Sequence, residues 1–364
     1  MKAGATSRVE GIRPLVIRGR PVGPGHPAYL VAEMSANHHQ SLEQAEALVR
    51  AAKDAGADAV KLQTYTPSTI TLDCDNEHFQ IRGTPWAGRK LFDLYGEAFT
   101  PWEWHPRLKK LAEELGLHLF SSPFDETAVD FLETQEVPVY KVASFEIVDL
   151  PLIRKIARTR RPMIVSTGMA TLEEIGEAVN AIREEGGAGV ALLKCTSAYP
   201  APPEQMNLRT IPNLAETFGV PVGLSDHTLG ISAAVTAVAL GACMIEKHFT
   251  LSRRVPGPDS AFSLEPSEFR ELVDAVRTAE KALGEVRYGP TSEEEALRAF
   301  RPSLFVVKDV KAGEAFTSSN VQSIRPGAGL PPKHLDQVLT RRAACSLQAG
   351  TPLRWEHLAA EERA

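Results

Sequence analysis

Apolar and polar positions alternate along the chain in two rhythms. From Pro27 onward, short β-branched runs are each followed by a longer stretch with apolar residues three and four apart, the spacing of an amphipathic helix. The runs are AYLVAEMS (28–35), AVKLQTY (59–65), HLFSSP (118–123), VYKVAS (139–144), MIVSTG (163–168), VALLKCTS (190–197), VPVGLSDH (220–227) and MIEKHFT (244–250). Between them, SLEQAEALVRAAKDAG carries Ser41 as N-cap, Glu43 and Glu46 in its early turns and Gly56 as C-cap, and TLEEIGEAVNAIREEGG repeats the grammar from Thr171. Eight such βα units over roughly 250 residues predict a closed (β/α)8 TIM barrel, with its chemistry at the C-terminal ends of the strands. An open doubly wound sheet is the fallback, although no GxGxxG loop follows the first strand.

After AEKALGEVRYGPTSEEEALRAF the texture changes to short strands broken by Gly and Pro turns, which predicts a small, mostly β domain of about 60 residues. The predicted organisation is a barrel with an N-terminal extension over 1–288, an acidic linker over 289–300 and the small domain over 301–364. So small a core predicts packing against something larger. The connection from Thr66 to Trp102 is long and carries Phe79, Trp86, Phe92, Tyr95, Phe99 and Trp102. That content predicts an ordered lid over the barrel mouth, with an oligomer contact or plain packing as the alternative.

Composition narrows the function classes. The chain of 364 residues is 43% hydrophobic and 24% charged, the balance of a folded soluble protein. Acidic residues outnumber basic ones 46 to 40, so the overall field gives no reason to expect nucleic acid, and an anionic ligand must be met by local cations. Cys74, Cys195, Cys243 and Cys345 form no CxxC pair, which argues against a zinc knot or disulfide framework and for a reducing cytoplasm. The N-terminal MKAGATSRVEGIRPLV lacks the apolar core of a signal peptide, and the longest apolar run, 231–245, is too short to cross a bilayer, so no membrane association is expected.

Chemistry collects at the predicted strand ends. His227 and His248 end the seventh and eighth strands, neighbours in a barrel, so both face one mouth: a divalent-metal site, or a pair of hydrogen-bonded structural histidines. Glu33 and Asn37 lie at the first strand end, Lys61 and Gln63 on the second, Ser121 and Ser122 on the third, Lys141 and Ser144 on the fourth. Residues 61 and 63 share a face and point inward together. Inward lysines are unfavourable unless an anion meets them, and Ser122, Ser144 and Ser166 would complete a phosphate or carboxylate cradle. Salt bridges to barrel carboxylates are the alternative. Lys194 on the sixth strand suggests a rival, a Schiff-base aldolase. A non-enzymatic rival is an ice- or glycan-binding module on an inert barrel.

AEMSANHHQ (32–40), VKLQTY, FSSPFD (120–125), YKVASFEIVD (140–149), VSTGMA, LLKCTSAYPAP, GLSDHT, EKHFTL and GPDSAFSLEP (257–266) together resemble the sialic acid synthase family, and within it the pseudaminic acid synthase branch. The C-terminal segment resembles the antifreeze-like (SAF) domain of the same enzymes. The resemblance implies condensation of phosphoenolpyruvate with the open-chain aldehyde of an amino sugar, with release of phosphate and a divalent metal, Mn2+ or Mg2+. It implies His227 and His248 as metal ligands. Lys61, Ser122, Lys141, Ser144, Ser166, Ser197 and Tyr199 fall where phosphoenolpyruvate or its phosphate is held, with Glu146, Ser225 and Asp259 as further substrate-binding positions. Glu33 and Gln63 fall beside the metal and reacting carbons, Glu33 as general base for water. Arg325, in SIRPGAGL, would reach the active site of the partner subunit in a domain-swapped homodimer. N-acetylneuraminate synthases tend to read AEAGVNHNG and ASGE where this chain has AEMSANHHQ and ASFE, and the Phe145 ring suits a 6-deoxy sugar, 2,4-diacetamido-2,4,6-trideoxy-altrose; a mannosamine-type sugar, as in N-acetylneuraminate or legionaminate synthases, is the alternative. His39 stands where asparagine is usual, and its role is left open.

Overall fold

The computed structural model describes residues 11–84 and 86–360. The chain divides into two compact units, Met1–Gly284 and Glu285–Ala364. The ends of the two predicted domains, residues 1–10 and 361–364, lie outside the described residues, and with them most of the stretch read for a signal peptide.

In the first unit a short antiparallel hairpin, Leu15–Ile17 (β1) and Arg20–Val22 (β2), precedes the barrel. Among the described residues eight parallel strands follow: Tyr29–Glu33 (β3), Ala59–Thr64 (β4), His118–Pro123 (β5), Tyr140–Val142 (β6), Met163–Ser166 (β7), Val190–Cys195 (β8), Val222–Asp226 (β9) and Met244–His248 (β10). They close in sequence order, with β10 bonded back to β3. The fold is therefore the predicted barrel and not the open sheet. The last strand stops at His248, two residues short of the predicted end; beyond its final ladder bond, Phe249 N–H to Glu33 O at 2.8 Å, Thr250 N–H donates to Leu264 O at 2.9 Å.

The helix grammar holds with one shift. Ser41 Oγ accepts from Gln44 N–H, and Thr171 forms a capping box with Glu174. Gly56 is not the C-cap: Ala55 takes that place in right-handed geometry, and Gly56 follows at φ +89°, the left-handed position just beyond a helix end that favours glycine.

Period-two alternation sorts the barrel strands into two environments. Leu30, Ala32, Val60, Leu62, Leu224 and Ile245 face outward and pack on the helices in the main core. Tyr29, Val31, Ala59, Phe120, Ile164 and Met244 face the lumen and, with Leu15, Ile17 and Val22 of the hairpin, fill its N-terminal end. Gly223 is small of necessity, since a Cβ there would come within 2.4 Å of Met244 O. One step further along the same inward rows stand Glu33, Lys61, Ser122, Lys141, Ser166, Ser225 and Glu246, all buried. An apolar plug thus supports a polar mouth built from the same faces of the same strands.

The second unit contains the antiparallel pair Ser303–Val306 (β11) and Val321–Ile324 (β12), with isolated bridges such as Val310 to Leu347 and Ala343 to Leu358. Its core is small: Leu304, Val306, Phe316, Val321, Val338 and Leu353 are its most buried members. The predicted linker 289–300 carries two short helical turns. Thr291 caps a helical turn, Ser292–Glu295, that runs into a 3-10 turn, Ala296–Phe300, both within this unit.

Candidate active site

Three adjacent strands bring the first group together. Glu33 on β3 lies in register between His248 of β10 and Lys61 of β4. Lys61 Nζ is 3.3 Å from Glu33 Oε2 and 3.1 Å from Glu246 Oε1. Gln63 Nε2 donates to Glu33 Oε1 at 2.9 Å and to Ser35 Oγ at 3.0 Å. Ser225 Oγ donates to Glu246 Oε1 at 3.4 Å. Burial pushes Glu33 up to about 7, with Lys61 pulling the other way and Glu246 adding to the rise. Burial also opposes the Glu246 carboxylate, but Lys61 and Lys141 outweigh it and hold this group below the usual range. Burial works against the Lys61 ammonium as well, and Glu246 and Glu33 more than offset it. Lys61 is therefore a fixed cation between one carboxylate that stays ionised and one that titrates near neutrality. The salt-bridge alternative holds for this lysine.

Lys141 differs. Its Nζ donates to Ser166 Oγ at 2.6 Å and to Val142 O at 2.9 Å, and burial pushes it down to about 8. Around it the hydroxyls converge. Ser144 Oγ accepts from Gly168 N–H at 3.1 Å. A Cβ on Gly168 would come 2.7 Å from Ser144 Oγ and 2.2 Å from Ser197 Oγ, so the glycine lets both serines close on its backbone. Ser122 Oγ is buried with no hydrogen-bond partner. Ser121 does not join them: it faces the helices, with its hydroxyl 2.6 Å from Thr64 Oγ1.

The rings of His227 and His248 lie 5.3 Å apart, with Tyr199 4.4 Å from the first and Phe262 5.0 Å from the second. His227 Nδ1–H donates to Thr196 O at 3.0 Å; burial opposes its imidazolium, but Cys195 and Thr196 O more than offset this and hold the ring above its ordinary range. His248 Nδ1 is buried with no partner, and burial, His227 and Lys61 hold its imidazole neutral, well below the ordinary range. Among the described residues no group of three or more His, Cys, Asp and Glu is arranged to hold a metal. A neutral His248 with an orphaned nitrogen, beside a His227 that would exchange its Nε2 proton for a metal, fits a cation whose other ligands come from outside the chain.

These residues share one mouth, and comparison with known proteins identifies its family. Residues 48–288 match the NeuB family, and residues 301–359 match the SAF domain. The chain belongs to the NeuB family. Among its relatives, the pseudaminic acid synthase of Helicobacter pylori is 47% identical over 329 residues, 90% of this chain and 96% of that protein. The N,N'-diacetyllegionaminic acid synthase of Legionella pneumophila is 36% identical over 363 residues, 98% of this chain and 100% of that protein. The crystal structure of the sialic acid synthetase of Leptospira borgpetersenii matches with a TM-score of 0.70 at 29% identity, covering 78% of this chain and 95% of that one.

In this NeuB-family barrel the remaining predicted residues separate. Asp259 is buried and accepts from Ser35 Oγ and, at 3.3 Å, from Ala36 N–H; burial pushes its carboxyl up. Glu146 has one buried carboxylate oxygen without a partner, and burial pushes it up to about 7. Beside it, Phe145 is 59% exposed, so an apolar ring is presented at the rim. His39 adopts φ +48° and packs its ring on Gly257, two residues before Asp259. The long connection is ordered as Pro67–Ile70, Glu77–Phe79 and Leu91–Ala98. From it Trp86 reaches the mouth, donating to Pro258 O at 3.0 Å with its ring 5.7 Å from Tyr199. Lys194 lies between the inward Leu193 and Cys195, so it faces away from the lumen, bonded to Cys195 O at 2.7 Å. Arg325 belongs to the second unit, directly after β12.

Sequence reasoning passed over Glu246, Ser35 and Cys195. Glu246 was within reach, because Met244, Glu246 and His248 occupy one inward row. Cys195 stands in the same way above Leu193, its Sγ 3.8 Å from Ser197 Oγ and 3.9 Å from His227 Nδ1.

Proposed function

We propose that this NeuB-family protein is a pseudaminic acid synthase, which condenses phosphoenolpyruvate with the open-chain aldehyde of 2,4-diacetamido-2,4,6-trideoxy-altrose to a nine-carbon nonulosonic acid and releases phosphate. The observation that carries the chemistry is the juxtaposition, in one lumen, of an anion cradle around Lys141 with the Lys61, Glu33 and histidine group. The 47% identity to the Helicobacter synthase, against 36% to the Legionella synthase, supports the sugar branch.

In this reading Lys141, Ser144, Ser166 and Ser197 bind the phosphate, with Ser122 supplying a further hydroxyl and Lys61 the charge next to the reacting carbons. Ser225 keeps Glu246 on Lys61. Tyr199, beside His227, borders the phosphoenolpyruvate site, and Asp259 and Glu146 bound the sugar's end of the mouth. A divalent cation, Mn2+ or Mg2+, held by His227 and His248 would supply Lewis-acid polarisation of the aldehyde. C3 of phosphoenolpyruvate bonds to the aldehyde carbon and leaves positive charge at C2. Water adds to C2 as Glu33, oriented by Gln63, accepts its proton, and cleavage of the C2–O bond expels phosphate. A carboxyl titrating near 7 suits a group that must take up and return a proton at neutral pH.

Among the described residues no helix is long and apolar enough to cross a membrane, and the four cysteines are free; both accord with a cytoplasmic enzyme. Arg325 is proposed to complete the mouth of the partner subunit in a domain-swapped homodimer, a guanidinium offering directed donors to the sugar's acetamido oxygens.

The function is tested by supplying phosphoenolpyruvate with the altrose-configured sugar, N-acetylmannosamine and its diacetamido 6-deoxy counterpart, and reading products by mass spectrometry. Product from the altrose sugar at the highest kcat/KM is expected; preference for a mannosamine-type sugar would sink the branch assignment. The swapped dimer is tested by mixing inactive Arg325→Ala with inactive His248→Ala under subunit exchange. Recovery to at most about a quarter of wild-type activity is expected, since half the dimers are mixed and each then has one intact site of two. No recovery, with exchange confirmed, rejects the arrangement.

A further inference from the structure

His227 and His248 each follow a residue that faces the other way. On β9, its next residue and β10 the inward positions are Ser225, His227, Glu246 and His248, whereas Asp226 and Lys247 face the layer between barrel and helices. The cross-strand pair just before them in that layer is Leu224 with Ile245, wholly apolar. One step on, Asp226 and Lys247 stand opposite each other in register, their side chains both 0% exposed and Lys247 Nζ 2.7 Å from Asp226 Oδ2. Lys247 Nζ also donates to Thr228 O at 2.7 Å, and Thr228 N–H donates to Asp226 Oδ1 at 2.9 Å. These bonds tie β10 to the residues on both sides of His227, a side chain at Asp226 and the backbone at Thr228.

A buried ion pair is a poor source of stability, because desolvation of two charges consumes most of their attraction, and apolar residues of similar volume often serve as well or better. The Leu224 and Ile245 contact shows that this layer accepts such residues. What the ion pair adds is direction: two strand ends and a turn held at fixed distances by hydrogen bonds. His227 has an orienting partner of its own in Thr196 O, but His248 Nδ1 has none. The placement of His248 therefore depends on the strand that carries it and on packing against Phe262.

We propose that the Asp226, Lys247 and Thr228 clasp is a positioning device that sets the separation of His227 and His248 and thereby the affinity of this chain for a divalent cation. This rests on the reading of the two histidines as metal ligands.

Metal-stripped full-length protein is titrated with Mn2+, free ion is read by its electron paramagnetic resonance signal, and unfolding is followed by circular dichroism. Asp226→Leu combined with Lys247→Met replaces the pair by apolar side chains. The double variant is expected to keep a cooperative unfolding transition and to bind Mn2+ about ten- to a hundredfold more weakly, the usual loss when a group that orients a metal ligand is removed. Asp226→Asn keeps the side chain's size and an acceptor for Thr228 N–H; it guards against misfolding of the double variant, and weaker binding is expected here too. Wild-type Mn2+ affinity in either folded variant overturns the clasp. If the wild type binds no Mn2+, or His248→Ala binds it as tightly as wild type, the metal reading itself is rejected and the clasp falls with it.

Discussion

On the β10, β3 and β4 side of the barrel mouth, Lys61 is enclosed by two carboxylates; on the β6 and β7 side, Lys141 meets only a hydroxyl and a carbonyl oxygen. Both ammonium groups are buried to within a few per cent, so the difference lies in partners and not in solvent. The first side is electrically complete before any ligand arrives. The second presents a desolvated cation and converging hydroxyls with no carboxylate in ion-pair range among the described residues, the condition under which an incoming anion gains most. One side is built to manage protons, the other to receive phosphate.

The largest effect that would break this division is on Glu33. Glu33→Gln keeps the shape and a partner for Gln63 but removes the proton acceptor, so kcat should fall by about 10²- to 10⁴-fold with the KM for phosphoenolpyruvate nearly unchanged. Steady-state kinetics decide it. A variant that lost only affinity would place Glu33 in the anion site and erase the contrast.

Stability sharpens the contrast next. Lys61→Met leaves Glu33 and Glu246 buried without their cation, and breaking a buried pair on one side destabilises by about 3–5 kcal/mol. Lys141→Met removes a buried ammonium that has no carboxylate in ion-pair range among the described residues, so its unfolding free energy should stay level or rise. Urea unfolding of the ligand-free protein compares them. Equal losses would mean that the two lysines sit in equivalent surroundings. The same Lys141→Met protein should raise the KM for phosphoenolpyruvate about ten- to a hundredfold, the kinetic equivalent of about 1.5–3 kcal/mol for a charge-assisted contact.

How much of this could be read from sequence follows from where the period of two holds. Along the strands it holds, and so the barrel, the inward pairing of Lys61 with Gln63 and the convergence of His227 with His248 were all legible. The same rule, applied to 193–195, turns Lys194 away from the lumen. Where the strand gives way to a turn, the rule lapses. Ser35, at φ +44° in the turn after β3, joins Gln63 to Asp259, a residue 224 positions further on, and nothing local in the sequence announces that contact. The environments of the two lysines were also hidden, because Lys61 acquires its second carboxylate from β10, at the other end of the barrel's sequence.

The smallest predicted effect is a shift in pH dependence, and it isolates Lys141 without removing its charge. Burial pushes this ammonium down to about 8 in the ligand-free protein, while the alkyl guanidinium of an arginine stays protonated throughout the working range. The sign is fixed by which form binds phosphate. The protonated amine does, it predominates below about 8, and it is lost as the pH rises through that value. Because kcat/KM reports groups on the free enzyme, the wild-type profile should bend downward above pH 8, tending toward a tenfold loss per unit. Lys61 cannot produce that limb, since Glu246 and Glu33 outweigh burial and hold its ammonium above the usual range. In Lys141→Arg the bulkier fork should lower kcat/KM several-fold overall, but the alkaline limb should disappear or move well upward. Measuring kcat/KM for phosphoenolpyruvate between pH 6 and 10 in both proteins tests this. An alkaline limb that stays in place in an active arginine variant would assign the titration to another group and leave Lys141 no different from Lys61.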